Sequence, residues 1–216
     1  MIRKYSILWG IIGSLLLLLV ATLYYPGGSQ YDQNAPGFDW QHNYLSNLFD
    51  TKAMNGSDNA SRPWAVGGML LLCASLTLFF VEFSKKITVK SAANIIQYFG
   101  VGAMLCGFLT VTPYHDIMVT IATTLGLVSL FYIAVFVFKS KLLFFKIFGV
   151  VCLLVSYVCN YMYYTSSYLK FLPIVQKVTI FMVIAWILGL AYFTTKEDFP
   201  QGQVVKINTD GATKNR

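Results

Sequence analysis

Apolar residues along this chain fall into six long runs that are separated by shorter polar segments. The runs cover about residues 7–25, 63–83, 92–111, 117–138, 143–164 and 172–193. Each is close to the ~20 residues that an α-helix needs to cross the hydrocarbon of a bilayer, and the core of a soluble protein does not require such runs. The pattern predicts an all-α, polytopic membrane protein with six transmembrane helices.

Composition supports a lipid environment. Of 216 residues, 56% are hydrophobic and only 12% are charged, with a mean hydropathy of +0.62; a soluble domain carries roughly a quarter charged residues. The net charge of +7 would favour nucleic-acid binding in a soluble protein. Here the lysines cluster in short segments beside the apolar runs, so we interpret them as determinants of topology and expect no nucleic-acid partner.

The cations divide unequally between the two sets of connecting segments. If the N-terminus is inside, the outer segments and outer helix ends hold four of them (Lys52, Arg62, Lys170 and Lys177), and the inner segments hold the other twelve: Arg3, Lys4, Lys85, Lys86, Lys90, Lys139, Lys141, Lys146, Lys196, Lys206, Lys214 and Arg216. The positive-inside rule then predicts cytoplasmic N- and C-termini. It predicts one transmembrane domain over residues 1–195, a long outer loop over 26–62 and a polar cytoplasmic tail over 196–216. No A-x-A site follows the first run, which we interpret as an uncleaved helix and not as a signal peptide.

Small residues indicate where helices approach closely. Gly67 and Gly68 lie in the second run, and Gly100, Ala103 and Gly107 lie in the third. Because small side chains let helix backbones come together in a membrane, we expect the second and third helices to be central in the bundle.

The outer loop contains a segment with helical periodicity, from Asp39 to Asp50. Its apolar residues recur at helical spacing (Trp40, Tyr44, Leu45, Leu48 and Phe49), and Asp39 is suited to the N-cap. The segment therefore predicts a short amphipathic helix. Its polar side either faces water or turns inward over a cavity between the helix ends.

A second polar cluster, residues 110–116, forms the predicted outer turn between the third and fourth helices. The topology puts both histidines of the chain, His42 and His115, on this side of the membrane. If the loop and the turn face one another, the candidate ligand-binding residues are His42, Asn43, Ser46, Asn47, Asp50, Arg62, Thr112, His115, Asp116 and Asn160.

Candidate metal and modification sites are few. The four cysteines lie inside apolar runs without a C-x-x-C pair, which is typical of small buried residues. A zinc site needs about three protein ligands, and His42, His115 and Asp116 are the best set. We expect no cofactor, with zinc as the alternative. Asn55 and Asn59 begin N-x-S patterns on the outer loop, which matter only in a eukaryotic secretory route.

At the outer loop the chain resembles a known family. The stretch from His42 to Leu48, HNYLSNL, resembles the H-x-x-x-S-[DN]-L pattern of the bacterial membrane family called domain of unknown function 998. The Thr112-Pro113 pair and Asp116 also fit it, while Asn47 stands where an acid is common. More distantly, the layout is similar to that of the DRAM/Frag/Sfk membrane proteins. The resemblance implies a six-helix fold and a candidate site but no established reaction. We expect a bacterial inner-membrane protein.

Three functions are compatible with these patterns. The first is a non-enzymatic protein that binds a membrane lipid or a partner membrane protein at an outer-leaflet polar cavity. The second is an intramembrane metal-dependent lipid hydrolase using the two histidines. The third is a transporter or channel subunit, although the span interiors carry few ionisable groups away from their ends. The lack of a complete catalytic set favours the first.

Overall fold

The protein folds into six α-helices. The computed structural model describes residues 2–199, with side chains from residue 5, and this part contains no β-sheet. The helices are α1 (Ile2–Leu23), α2 (Arg62–Ser84), α3 (Lys90–Leu109), α4 (His115–Lys139), α5 (Leu143–Thr165) and α6 (Leu172–Phe193). All six are long and apolar enough to cross a membrane. The prediction of an all-α, multi-pass membrane protein with six such helices is confirmed.

The helix ends follow local sequence signals. Pro63 and Pro173 lie in the first turns of α2 and α6, where a missing backbone N–H costs no intrahelical hydrogen bond. The first helix ends at Leu23, two residues before the predicted end, because Pro26 biases the residue before it away from helical geometry. Most of the predicted tail, including Lys206, Lys214 and Arg216, lies outside the described residues.

Helices that are neighbours in the sequence pack against one another. The pairs α1–α2 and α3–α4 have the most extensive contacts, α5 pairs with α6, and α6 also touches α1 and α2. The loop over residues 24–61 covers one end of the bundle, which we call the cap end. The opposite end holds the lysine-rich links after α2 and α4, and we call it the basic end.

Of the two helices predicted to be central, only α2 is. It contacts α1, α3 and α6 and is the most buried of the six, whereas α3 packs mainly on α2 and α4. The small residues of α3 serve these two contacts. At Gly100, an added Cβ atom would stand 2.2 Å from the Phe80 ring, so this approach of α2 and α3 requires glycine.

The larger part of the core lies toward the basic end and is aromatic. Phe79, Phe80 and Phe83 of α2 are almost fully buried, and Phe199 returns after α6 to pack edge-on against Phe83. The indole of Trp186 donates a hydrogen bond to the Phe145 carbonyl (3.0 Å), which holds α6 against α5. Buried rings at this end therefore connect α2, α5 and α6.

The predicted amphipathic helix over Asp39–Asp50 does not form as one helix. The chain makes a single turn after Asp39 and then a 3₁₀ helix over Leu45–Leu48 only. The Asn43 side chain accepts the Asp39 N–H and the Asn47 side chain accepts the Tyr44 N–H, each at 2.8 Å. Because asparagine side chains compete for backbone groups in this way, two short turns replace a continuous helix.

Candidate functional site

The cap, residues 24–61, is built around buried asparagine side chains. Asn43 is fully buried, and its amide nitrogen donates to the Gly28 carbonyl at 2.9 Å. Gly28 has a φ of +84°, and a Cβ atom there would lie 2.4 Å from the Asn55 nitrogen, so glycine is required. Asn43 thus joins the start of the cap to its middle, and its role is structural.

A second buried amide closes the other half of the cap. The Asn59 amide nitrogen donates to the carbonyls of Asn47 (3.0 Å) and Asp50 (2.9 Å), and its oxygen accepts the Ser61 N–H. The Ser61 hydroxyl lies 3.1 Å from the Leu48 carbonyl. Because its amide is fully used, Asn59 is blocked as a glycosylation acceptor in the folded protein, whereas Asn55 lies on the exposed surface.

The cap docks on α6 through Lys177 and through Gln176, whose side chain accepts the Leu45 N–H at 3.4 Å. Lys177 donates to the Asn43 carbonyl at 2.6 Å and to the Pro173 carbonyl at 3.0 Å. Its ammonium also lies 5.7 Å from the centre of the Phe38 ring. The sequence pattern places Lys177 among the cations of the outer helix ends and does not indicate this partner.

His42 belongs to a local pair within the cap. Its Nδ1 lies 2.8 Å from Asp39 Oδ2, and its ring contacts Tyr31 edge-on. Desolvation raises the pKa of Asp39, but the hydrogen bonds from His42 and from the backbone N–H groups of Gln41 and His42 outweigh it, so the net pKa is lowered. His42 and Asp39 are both partly exposed, at 25% and 27%.

Charged residues of the cap, α2 and α4 lie at the cap end, although Asp50 forms no ion pair with Arg62 or His115 within the part of the chain that the structure describes. The Asp50 carboxylate lies within electrostatic reach of both His115 and Arg62. His115 Nδ1 is 3.1 Å from Asp116 Oδ1, and the Tyr163 hydroxyl of α5 donates to the same oxygen at 3.3 Å. We call these five residues the cap-end cluster. The expectation that the loop and the turn before α4 face one another stays a prediction, which the electrostatic interaction of Asp50 with His115 supports.

The cluster is accessible and has a mixed charge. The Asp116 side chain is 88% exposed and that of His115 is 37% exposed. Arg62 donates its Nε–H to the Phe49 carbonyl at 3.0 Å, which uses one of its five donors and orients the guanidinium. Desolvation raises the pKa of Asp50. The hydrogen bond from Asn47 and the electrostatic interactions with His115 and Arg62 lower it by a smaller amount, so the net pKa is raised. The arrangement presents donors and acceptors close together on an exposed surface.

Hydroxyl groups continue from this cluster along α4. Thr120, Thr123 and Thr124 follow Asp116 at helical spacing, and each bonds a carbonyl one turn earlier in its own helix. The Thr123 hydroxyl is 3.5 Å from the Tyr164 hydroxyl of α5. A partly polar surface therefore extends from the cap end into the membrane-spanning part, between α4 and α5.

The remaining predicted site residues make local bonds. The Thr112 hydroxyl lies 2.6 Å from the Leu109 carbonyl, and the Asn160 amide donates to the Ser156 carbonyl at 2.8 Å. Ser46 is half-buried in the 3₁₀ helix, and Asn47 is buried in the cap. Of the ten predicted ligand-binding residues, Asp50, Arg62, His115 and Asp116 belong to the cap-end cluster, and Tyr163 is an addition that the sequence did not single out.

The described residues do not fit the predicted zinc site. Within residues 5–199, no group of three or more His, Cys, Asp or Glu side chains is arranged to hold a metal ion. His42 is bonded to Asp39 inside the cap, whereas His115 is bonded to Asp116 at the start of α4. The set of His42, His115 and Asp116 is therefore not assembled as a metal centre.

Comparisons with protein-family models, with curated proteins and with solved structures found no match. The resemblance to domain of unknown function 998 stays a prediction that rests on the residues given above.

Proposed function

We propose that the protein is a non-enzymatic membrane protein that binds the head group of an amine-bearing zwitterionic phospholipid at the cap-end cluster. The observation that carries the proposal is the exposed Asp116 carboxylate, which is bonded to the Tyr163 hydroxyl and to His115, with Asp50 and Arg62 at the same end of the bundle. Four elements, the cap, α2, α4 and α5, supply these groups, and the Asp116 and His115 side chains are accessible.

The charges of the cluster favour a ligand that carries both signs. Two carboxylates, Asp50 and Asp116, suit an ammonium group, while the free guanidinium donors of Arg62 suit a phosphate. A purely anionic head group would meet the two carboxylates, and a purely cationic one would meet Arg62. The threonines of α4 supply hydroxyl groups along the path that the glycerol region of such a lipid would follow.

Binding to the cluster is tested with the purified full-length protein and two lipids of identical chains. Native mass spectrometry would compare phosphatidylethanolamine with phosphatidylcholine, whose quaternary ammonium donates no N–H bond. We expect a preference for phosphatidylethanolamine, and a loss of about tenfold in Asp50→Asn/Arg62→Gln, since a charge-assisted bond contributes about 1.5–3 kcal/mol.

The control is Asp58→Asn, which removes an exposed carboxylate of the same loop that pairs with Lys52. It should leave the lipid preference unchanged. Equal binding of the two lipids, or equal losses in Asp50→Asn/Arg62→Gln and Asp58→Asn, would contradict the proposal.

We also propose that the cap end faces outward from a bacterial inner membrane, with both termini in the cytoplasm. The excess of lysine and arginine in the segments of the basic end supports this orientation, as does the family resemblance. In a variant without native cysteines, an impermeant maleimide added outside cells should label Asn55→Cys and not Thr88→Cys. Labelling of Thr88→Cys alone would reverse the orientation.

No observation favours the other two functions. A zinc hydrolase needs about three protein ligands around one ion, and no such group of His, Cys, Asp or Glu side chains is arranged within the described residues. A transporter subunit would be favoured by ionisable groups near mid-membrane. Lys177 lies near the start of α6 and is bonded to the Asn43 carbonyl of the cap.

A further inference from the structure

An apolar groove of about 770 Å³ opens at the basic end of the molecule, away from the cap-end cluster. Leu8 of α1 and Phe144 and Phe148 of α5 form its walls, and Ala185 and Gly189 of α6 lie on its floor. The groove runs along α6 from Ala185 to Phe193, about 12 Å at the helical rise of 1.5 Å per residue. It has the size of a small-molecule site and an elongated shape.

The packing of α5 on α6 explains why side chains do not fill the groove. The Phe145 ring sits so close to Gly189 that an added Cβ atom would stand 2.5 Å from it. Trp186 turns away from the groove, fully buried, and bonds the Phe145 carbonyl. Contacts between α1 and α6 are sparse, so a gap remains between Leu8 and the rings of α5.

Positive charge lies next to the groove in the sequence, and the first acidic residues after α6 are Glu197 and Asp198. Lys139 ends α4 and Lys141 lies in the α4–α5 link, directly before the groove residue Leu142, and both are exposed. Neither forms an ion pair within the part of the chain that the structure describes. The sequence from Ile117 to Lys196 contains no aspartate or glutamate, so no carboxylate of α5 or α6 opposes them.

The α4–α5 link is also held in place. The buried Ser140 hydroxyl lies 2.6 Å from the Val137 carbonyl and accepts the Leu142 N–H at 3.1 Å. The two lysines therefore flank a fixed turn beside the mouth of the groove. Cationic side chains next to an apolar cleft between helices are suited to an anionic phospholipid.

We propose that this groove is a second lipid site, which takes an acyl chain of an anionic phospholipid while its phosphate lies against Lys139 and Lys141. The charges of Lys139 and Lys141 select the head group. The aromatic rings of α5 and the small residues of α6 contact the acyl chain. This site differs from the cap-end cluster in position, in charge and in lipid class, so the two proposals can fail separately.

The test uses the full-length protein and three variants, with phosphatidylglycerol and phosphatidylethanolamine of identical chains as probes. Native mass spectrometry would count bound lipids, and thermal unfolding in detergent would measure stabilisation. We expect one phosphatidylglycerol to bind several-fold more tightly than phosphatidylethanolamine at this site. Lys139→Gln/Lys141→Gln should abolish that preference, and Ala185→Phe should weaken binding of the lipid by filling the floor.

Lys90→Gln is the matched control because Lys90 is an exposed lysine at the same end, on the first turn of α3. It should bind phosphatidylglycerol like the wild-type protein. The proposal is overturned if Lys90→Gln and Lys139→Gln/Lys141→Gln lose the same amount of binding, which would indicate a diffuse charge effect. It is also overturned if Ala185→Phe, unfolding at the wild-type temperature, retains full binding. Asp50→Asn/Arg62→Gln should not affect this site.

Discussion

A lysine binds near each end of α6, but the two lysines have different structural roles. At the basic end, Lys86 reaches from the link after α2 to the Leu190 and Thr194 carbonyls, at 3.0 and 2.8 Å. At the cap end, Lys177 extends from α6 itself to the Asn43 carbonyl. Lys86 donates to the last carbonyls of α6, and Lys177 attaches the cap to α6.

The helix dipole explains the difference. The last carbonyls of a helix have no intrahelical partner and carry partial negative charge, so Lys86 is favourable wherever α6 ends. Lys177 lies near the N-terminal, positive end of α6, where the helix dipole does not stabilise a cation. Its position depends on the cap, through the Asn43 carbonyl and the Phe38 ring. We therefore expect Lys86 to stabilise the bundle and Lys177 to stabilise only the cap.

The largest effect on stability is expected in the interior of the cap, where Asn59 and Asn55 should differ in the cost of their replacement by alanine. Asn59→Ala should lower the free energy of unfolding by about 2–3 kcal/mol, because it leaves the buried carbonyls of Asn47 and Asp50 without their donor. Asn55→Ala removes one exposed bond to the Ser57 N–H and should cost less than about 0.5 kcal/mol. Equilibrium unfolding in mixed micelles measures both. Equal costs would contradict the structural role assigned to Asn59.

The next effect tests the basic end. Lys86→Met should cost about 1–3 kcal/mol of unfolding free energy, since it removes a charged donor from the end of α6. Lys86→Arg should retain much of this stability, because the dipole requires a cation and not a particular geometry. The control is Lys85→Met, which loses only the surface pair with Glu82 (2.7 Å) and should cost about 0–1 kcal/mol. An Arg variant as unstable as Met would rule out the dipole explanation.

A smaller and local effect is expected for Lys177. Lys177→Met should increase hydrogen exchange of cap amides by about tenfold, corresponding to about 1.4 kcal/mol of lost attachment, while exchange in α1 to α4 is unchanged. Uniformly faster exchange throughout the bundle would show that Lys177 supports the helices as well, and the contrast with Lys86 would not hold.

The smallest effect is a pH dependence of opposite sign at two carboxylates of the cap. The lowered pKa of Asp39 means that its stabilisation is present above its unfolded value of about 3.9 and is lost as the pH falls through the lower folded value. The raised pKa of Asp50 means that its contribution is present below that unfolded value and is lost as the pH rises through the higher folded value.

Hydrogen exchange of the cap, corrected for the intrinsic rates, measures this dependence. As the pH falls through the folded pKa of Asp50 toward the unfolded value of about 3.9, the Asp50 contribution should make the cap more protected, and Asp50→Asn should remove that gain. Below about pH 4 protection should fall because Asp39 becomes protonated. Asp39→Asn should remove that fall. The same slope in both variants would contradict the opposite signs.

The sequence predicted the six helices well and the cap poorly. Runs of apolar residues such as those of α5 and α6 leave a chain in lipid no alternative to a helix, because every backbone group must be bonded internally. In the cap, the periodicity from Trp40 to Phe49 predicted one helix. Instead, the side chains of Asn43 and Asn47 form hydrogen bonds with backbone groups of this segment. The spacing of apolar residues gives no information about such competition.

The candidate site was predicted only in part, for a similar reason. Asp50, Arg62, His115 and Asp116 were among the predicted residues because the topology put their segments at one end. Asn43 and Asn47 were also predicted as ligand-binding residues, yet their amides are used by the backbone of the cap. Polarity at the correct end does not distinguish a binding residue from one that holds a loop together.

By itself, the sequence determined the membrane-spanning architecture of this protein, because hydrophobic length and the internal hydrogen bonding of helices are local properties of each segment. Only the tertiary structure decided which polar groups remain accessible. The partners of Lys177, Asn59 and Asp116 lie 134, 12 and 47 residues away along the chain. Such contacts depend on how helices and loop pack, and it is packing that leaves the cap-end cluster accessible and the groove beside Lys141 unfilled by protein.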